Sequence, residues 1–195
     1  MTTARQDLIR AGVRAFARQG YEATGLTDIL ERAGLPKGSF YHQFASKEAF
    51  GEEVARAWFD AHAVVMRGFL DDVARPASER VAAYFEHMCE DMRRGGFACG
   101  CLVGTLGQEL ADRSEPMRRT LSMLFAAWRQ ALADCLREGQ SAGNIPLELP
   151  AGELAEILLC AWEGALLRAK TDRDYAPMRA FLRLVRHMLG QSDSR

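Results

Sequence analysis

Six residues near the start of the chain have the types and spacing to hold a polyanion. Lys37, Gly38, Ser39, Tyr41 and His42 fall together, with Lys47 after them. Ammonium groups neutralise phosphate oxygens, and hydroxyl, phenol and imidazole groups donate to them. A glycine among them permits close backbone approach. A second group with chemistry lies farther on: Cys99 and Cys101 in FACGCLVGTLGQELAD, and Lys170 at the end of ALLRAK. A cysteine in the first turn of a helix, or beside a lysine, is favoured as the thiolate and so as a nucleophile. A solvated lysine at a helix C-terminus and small core cysteines explain the same spacing without any reaction.

Both groups need helices to position them, and helical periodicity dominates the chain while sustained two-residue alternation is absent. Arg5–Arg18 places Leu8, Ile9, Gly12, Val13 and Phe16 on one face, and Gly20 ends it. Thr24 and Thr27 are candidate N-caps for a short helix through Ala33. Gly34 breaks that helix, and Pro36 fits the opening of the next, Lys37–Gln43. Ser46 then caps a long helix running to about Asp72. Two short helices joined by a glycine-containing turn form a helix-turn-helix, whose second helix enters the DNA major groove with its first residues toward the bases. Phe40 and Phe44, four apart, should pack inward on the opposite side.

Beyond the Arg75-Pro76 break, Ser78 is expected to cap a helix to about Arg94. Ser114 should cap another, to about Gln140, with Pro116 in its first turn. SAGNIPLELP reads as a loop. Glu153–Ala169 is apolar around most of its circumference, and Asp174–Leu189 carries a clean apolar stripe. An all-round apolar helix must be covered on all sides, and a second subunit is the simplest cover. The last two helices of each chain then pair into a four-helix bundle. The tail QSDSR should lack fixed structure.

The segment LTDILERAGLPKGSFYHQFASKEAF resembles the signature of the TetR family of bacterial transcriptional repressors. That resemblance implies an all-α protein with an N-terminal three-helix DNA-binding domain, residues 1–47. Residues 48–195 would then sense an effector and form the homodimer. It places the DNA contacts on Thr27, Lys37, Gly38, Ser39, Tyr41, His42 and Lys47, while Gly25 departs from the usual hydroxyl residue. GCLVGTLGQELAD and AWEGALLRAK are similar to a narrower group, the N-ethylmaleimide-responsive and acrylate-responsive repressors. This implies a sensing thiol at Cys101 with Lys170 as its associated lysine. The signal would be a reactive electrophile, an oxidant or a small unsaturated acid. Trp128 and Trp162 are the best candidates for pocket walls, because a buried indole N–H needs a partner. Phe125, Tyr84, Phe85 and Met88 are further wall candidates. A purely non-covalent inducer held by these aromatics is the alternative.

Composition agrees with a small DNA-binding head. Residues 1–50 carry about +2, leaving about −3 for the rest of a chain whose net charge is −1. Only three lysines stand among the 25 basic residues, and two of them lie in the suspected head. The five cysteines are odd in number, with no CxxC pair and no His-rich set, so neither a disulfide framework nor a zinc site is expected. No cofactor is expected. No apolar run approaches the ~20 residues of a membrane span, and no secretory leader is evident, so a cytoplasmic protein follows. An enzyme is disfavoured: none of His42, His62, His87 and His187 sits in a recognisable catalytic motif. The glycines of CLVGTLGQ lack the strand a phosphate-binding loop needs.

Overall fold

A computed structural model describes residues 3–191, and among these it contains α-helices and no strand. The helices are α1 (Ala4–Gln19), α2 (Leu26–Ala33), α3 (Phe40–Gln43), α4 (Lys47–Leu70) and α5 (Ala77–Arg94), then α6 (Leu102–Leu110), α7 (Glu115–Ser141), α8 (Ala151–Asp172) and α9 (Ala176–Met188). The expectation for the tail beyond Gln191 lies outside the described residues. None of the described helices is long and apolar enough to cross a membrane. The chain divides into two compact units. The first comprises residues through His62 with Cys101–Phe125; the second comprises Ala63–Gly100 with the residues from Ala126 on.

The first unit is built on α1. A reciprocal capping box starts it: Thr3 Oγ1 accepts the Gln6 N–H, and Gln6 Oε1 accepts the Thr3 N–H. Its inner face buries Leu8, Ala11, Gly12, Ala15 and Phe16. Phe50 of α4 is the hub of an aromatic cluster, with ring centroids 5.8 Å from Phe16, 5.3 Å from Phe40 and 4.8 Å from Phe44. Phe40 and Phe44 thus pack inward as the spacing predicts. Arg5 ties α1 to the end of α3 and to α4, donating to the Gln43 carbonyl (2.8 Å) and to both carboxylate oxygens of Glu53.

Gly12 is where α1 meets α4 most closely. A Cβ there would lie 2.5 Å from Phe50 Cζ and 2.7 Å from Val54 Cγ2. Gly12→Ala is therefore expected to cost about 1–3 kcal/mol by overpacking, despite alanine's better helix propensity. A thermal melt that is unchanged or raised would show that α4 yields freely.

Two of the expected caps form. Ser46 Oγ accepts the Ala49 N–H at 3.0 Å, and Ser114 Oγ accepts the Met117 N–H at 3.1 Å. Two others do not. Thr24 is buried with its hydroxyl donating to the Gly20 carbonyl (2.6 Å), so Gly25 becomes the N-cap of α2 and Thr27 its exposed second residue. Pro76 occupies the N-cap of α5, and the Ser78 N–H is served by Asn144 Oδ1 at 3.4 Å.

The second unit has its own aromatic core. Phe85 meets Phe181 edge-on with centroids 5.0 Å apart, and Trp162 lies 5.6 Å from Phe181. Arg80, 3% exposed, donates to the Leu70 carbonyl and to Glu138, joining the ends of α4 and α7 to α5. Helix α8 buries Leu154, Leu158, Trp162 and Leu166. Its opposite side leaves Cys160, Gly164 and Leu167 exposed, and α9 leaves Leu184 exposed. These are the apolar faces for which the sequence calls for a cover.

Candidate functional site

The DNA-facing candidates lie on one stretch of the first unit. The expected continuous helix over Lys37–Gln43 is split. Lys37–Ser39 forms a 3-10 turn, closed by the Ser39 N–H on the Pro36 carbonyl (2.9 Å), and α3 follows as a single turn. Pro36 supplies an extended backbone, and Gly38, a poor helix former, leaves the tighter turn favoured. Thr27, Lys37, Gly38, Tyr41 and His42 are exposed, and Ser39 is half-buried. Tyr41 is 69% exposed, and its ring meets that of Phe40 nearly at a right angle with centroids 5.4 Å apart. An aromatic side chain projecting alone from a rigid turn is available to a partner.

Lys47 differs from the other candidates. Its Nζ donates to the Tyr21 carbonyl (2.7 Å) and sits 4.3 Å above the Tyr21 ring. Burial lowers its pKa, against the pull of Glu22 and Glu109. The Tyr21 hydroxyl is pushed up to about 12, first by burial and then by Glu48 and Glu22. Lys47 thus ties the start of α4 to the loop between α1 and α2, with two N–H donors left.

Of the two thiol candidates, Cys101 lies at a helix start. Cys101 is the N-cap of α6, in extended backbone, with Sγ accepting the Gly104 N–H at 3.4 Å. Cys99 precedes the helix and is exposed. An N-terminal N–H aimed at sulfur forms a bond that strengthens as the sulfur becomes anionic. Cys101 is 6% exposed, so only small reagents reach it. Three other thiols are held protonated above their ordinary range. Burial pushes Cys89 up to about 12 and Cys135 up to about 11, and burial with Glu156 raises Cys160.

The far end of α6 is bonded into the reading head. Glu109 Oε2 accepts the Glu22 N–H at 2.8 Å, and Arg113 reaches Glu22 Oε1 at 3.2 Å. Gly20 admits the Glu109 carboxylate: its φ is +82°, and a Cβ there would lie 2.1 Å from Glu109 Oε1. Cys101 and Glu109 are separated by about 12 Å of helix. No motif points to Glu109. It acts on a residue 87 positions away, and only the fold supplies that distance.

The other candidates belong to the second unit. Lys170 is half-buried in the last turn of α8; Trp128 and Trp162 are buried, on α7 and α8. The Trp162 indole N–H is buried without a hydrogen-bond acceptor among the described residues. Among the described residues no group of three or more His, Cys, Asp or Glu is arranged to hold a metal ion.

Comparison with known proteins places this geometry in a family. Residues 8–54 match the model described as bacterial regulatory proteins, tetR family, and residues 77–185 match the tetracyclin repressor-like C-terminal domain. The chain is 35% identical to the HTH-type transcriptional repressor DhaR of Mycobacterium sp. strain GP1, covering 94% of this chain and 91% of that one. It is 37% identical to the transcriptional regulator AcuR of Cereibacter sphaeroides, covering 92% and 82%. The crystal structure of reduced Escherichia coli NemR superposes with a TM-score of 0.90 at 28% identity, covering 97% and 98%. A helix-turn-helix head on an all-helical body, matched over both segments, makes this chain a member of the TetR family of transcriptional repressors, which are DNA-binding regulators and not enzymes.

Proposed function

We propose that this chain is a homodimeric repressor that leaves its operator when a small electrophile, oxidant or unsaturated acid is sensed at Cys101. One observation carries the reading: Cys101 starts the helix whose other end is bonded to the loop of the DNA-reading head. Residues 1–47 serve as the reading head and residues 48–195 as the sensing and dimerising part, working in the cytoplasm. Thr27, Lys37, Gly38, Ser39, Tyr41, His42 and Lys47 contact a pseudo-palindromic operator, one head per half-site. The exposed apolar residues of α8 and α9, Leu167 and Leu184, become covered by the partner subunit.

With an activated alkene, the Cys101 thiolate forms a bond from sulfur to the β-carbon. The π pair moves to the α-carbon and carbonyl, and water returns a proton to the α-carbon. The adduct adds bulk at a thiol that is nearly enclosed. The start of α6 must then move, and a helix this short moves as a body. Its Glu109 end carries the loop of Gly20–Glu22, and Tyr21 carries Lys47. DNA release requires only that the adduct be better accommodated in a pose whose heads do not fit the operator. Lys170, Trp128 and Trp162 are assigned to binding the signal.

The test is a duplex recovered by in vitro selection, mixed with the protein and titrated with N-ethylmaleimide. Release is expected to track the adduct on Cys101 and not those on the exposed Cys99 and Cys160. Glu109→Ala should leave the rate of Cys101 alkylation unchanged while cutting the ratio of operator affinities, unmodified over alkylated, by about tenfold. An unchanged ratio would remove Glu109 from the path.

The buried, unpartnered Trp162 N–H favours a second reading, in which an aromatic-lined site binds an inducer without a covalent bond. Intact-mass measurement after exposure to an inducer separates the two: no mass change with full release supports the second.

A further inference from the structure

A shallow concavity of about 380 Å³ lies between α1 and the end of α2, lined by Asp7, Arg10, Ala11, Arg14, Arg32 and Ala33. It shares no residue with the reading surface. Its charges are unevenly matched. Asp7 and Arg10 pair with each other across one turn of α1. Arg14 and Arg32 make no ion pair among the described residues, and both are exposed. Three guanidiniums and one carboxylate, Asp7, thus line a hollow with two alanines, and its charge is net positive. A planar fork of donors opposite a second one matches the two free oxygens of a phosphodiester.

The position selects the phosphate. Arg32 sits on the same helix as Thr27, and Ala33 directly precedes the turn of Gly34–Pro36 that launches Lys37. Exposed charge pairs are individually weak, because water screens them. A hollow with no buried donor has little hold on a free anion. A backbone phosphate delivered by an already docked head arrives at high effective concentration, which compensates for that weakness.

We infer that Arg14 and Arg32 clamp a phosphate of the DNA backbone flanking the segment read by Lys37–His42. This rests on the DNA-binding reading above and adds a contact outside its residues. The contact carries no sequence information, so it should set affinity and register and leave preference unchanged.

The test is the salt dependence of binding to the in vitro-selected duplex by Arg14→Gln, Arg32→Gln and the double variant. Arg18→Gln, in the exposed last turn of α1 and outside the hollow, serves as comparison. The double variant is expected to bind about tenfold more weakly at physiological salt, with the log–log salt slope reduced by about one unit per head. Base preference and thermal midpoint should be unchanged, and Arg18→Gln should behave as wild type. A wild-type slope in the double variant overturns the inference, as does an equal loss in Arg18→Gln. A saturable rise in melting temperature with inorganic pyrophosphate, lost in a double variant that binds DNA normally, would assign the hollow to a free anion instead. Wild-type protein that selects no duplex would sink the DNA-binding reading itself.

Discussion

Cys101→Ser is expected to bind operator DNA within about twofold of wild type and to lose release by N-ethylmaleimide or hypochlorite. Serine is a favoured N-cap residue, so its hydroxyl can take over the Gly104 N–H that the thiol now accepts. The start of α6, and with it the bond from Glu109 to the Glu22 N–H, should survive. What disappears is the nucleophile. Burial holds Cys89 and Cys135 protonated well above neutral pH, burial and then Glu156 raise Cys160, and the exposed Cys99 lies outside α6 and caps no helix start. Fluorescence anisotropy of a labelled duplex reads the outcome. The half-maximal reagent concentration should rise at least about tenfold, and normal release from Cys101→Ser would refute the thiol mechanism.

Tyr41→Ala is the second large effect, this time on DNA binding. Tyr41 is 69% exposed, so truncation should change stability by less than about 0.5 kcal/mol. Its loss from the groove-facing turn should weaken operator binding about tenfold or more, the ~1–3 kcal/mol typical of one good groove contact. Lys37→Ala should weaken binding at all sequences and lower the salt slope by about one unit. Unchanged affinity of both variants at moderate salt, with unchanged melting, would move the reading surface elsewhere.

Much of this was legible in the chain. Helical periodicity located all the long helices, because each has one face that must be buried. Ser46 and Ser114 could be read as caps, since each precedes an apolar-periodic run and has no competing carbonyl. Thr24 could not: its hydroxyl is taken by the Gly20 carbonyl at the end of α1, a contact that depends on how the loop turns back. The split of Lys37–Gln43 into a 3-10 turn and one α-turn likewise reflects Pro36 and Gly38 acting together. Spacing alone left Cys99 and Cys101 equivalent and only the family resemblance singled out Cys101; the start of α6 at Leu102 makes Cys101 the cap. Least legible was Glu109, an ordinary surface-type residue in QEL. Its role comes from Gly20, where the missing Cβ and the positive φ make room for its carboxylate.

The coupling between thiol and head is tested most directly by following both in one sample. Protein bound to labelled operator is titrated with N-ethylmaleimide. The bound fraction is read by anisotropy, and the Cys101 adduct is quantified by peptide mass spectrometry at each point. The expected result is that release rises in step with the Cys101 adduct and not with adducts on the exposed Cys99 and Cys160. Operator still fully bound when Cys101 is fully alkylated, or released while Cys101 is unmodified, would contradict the coupling.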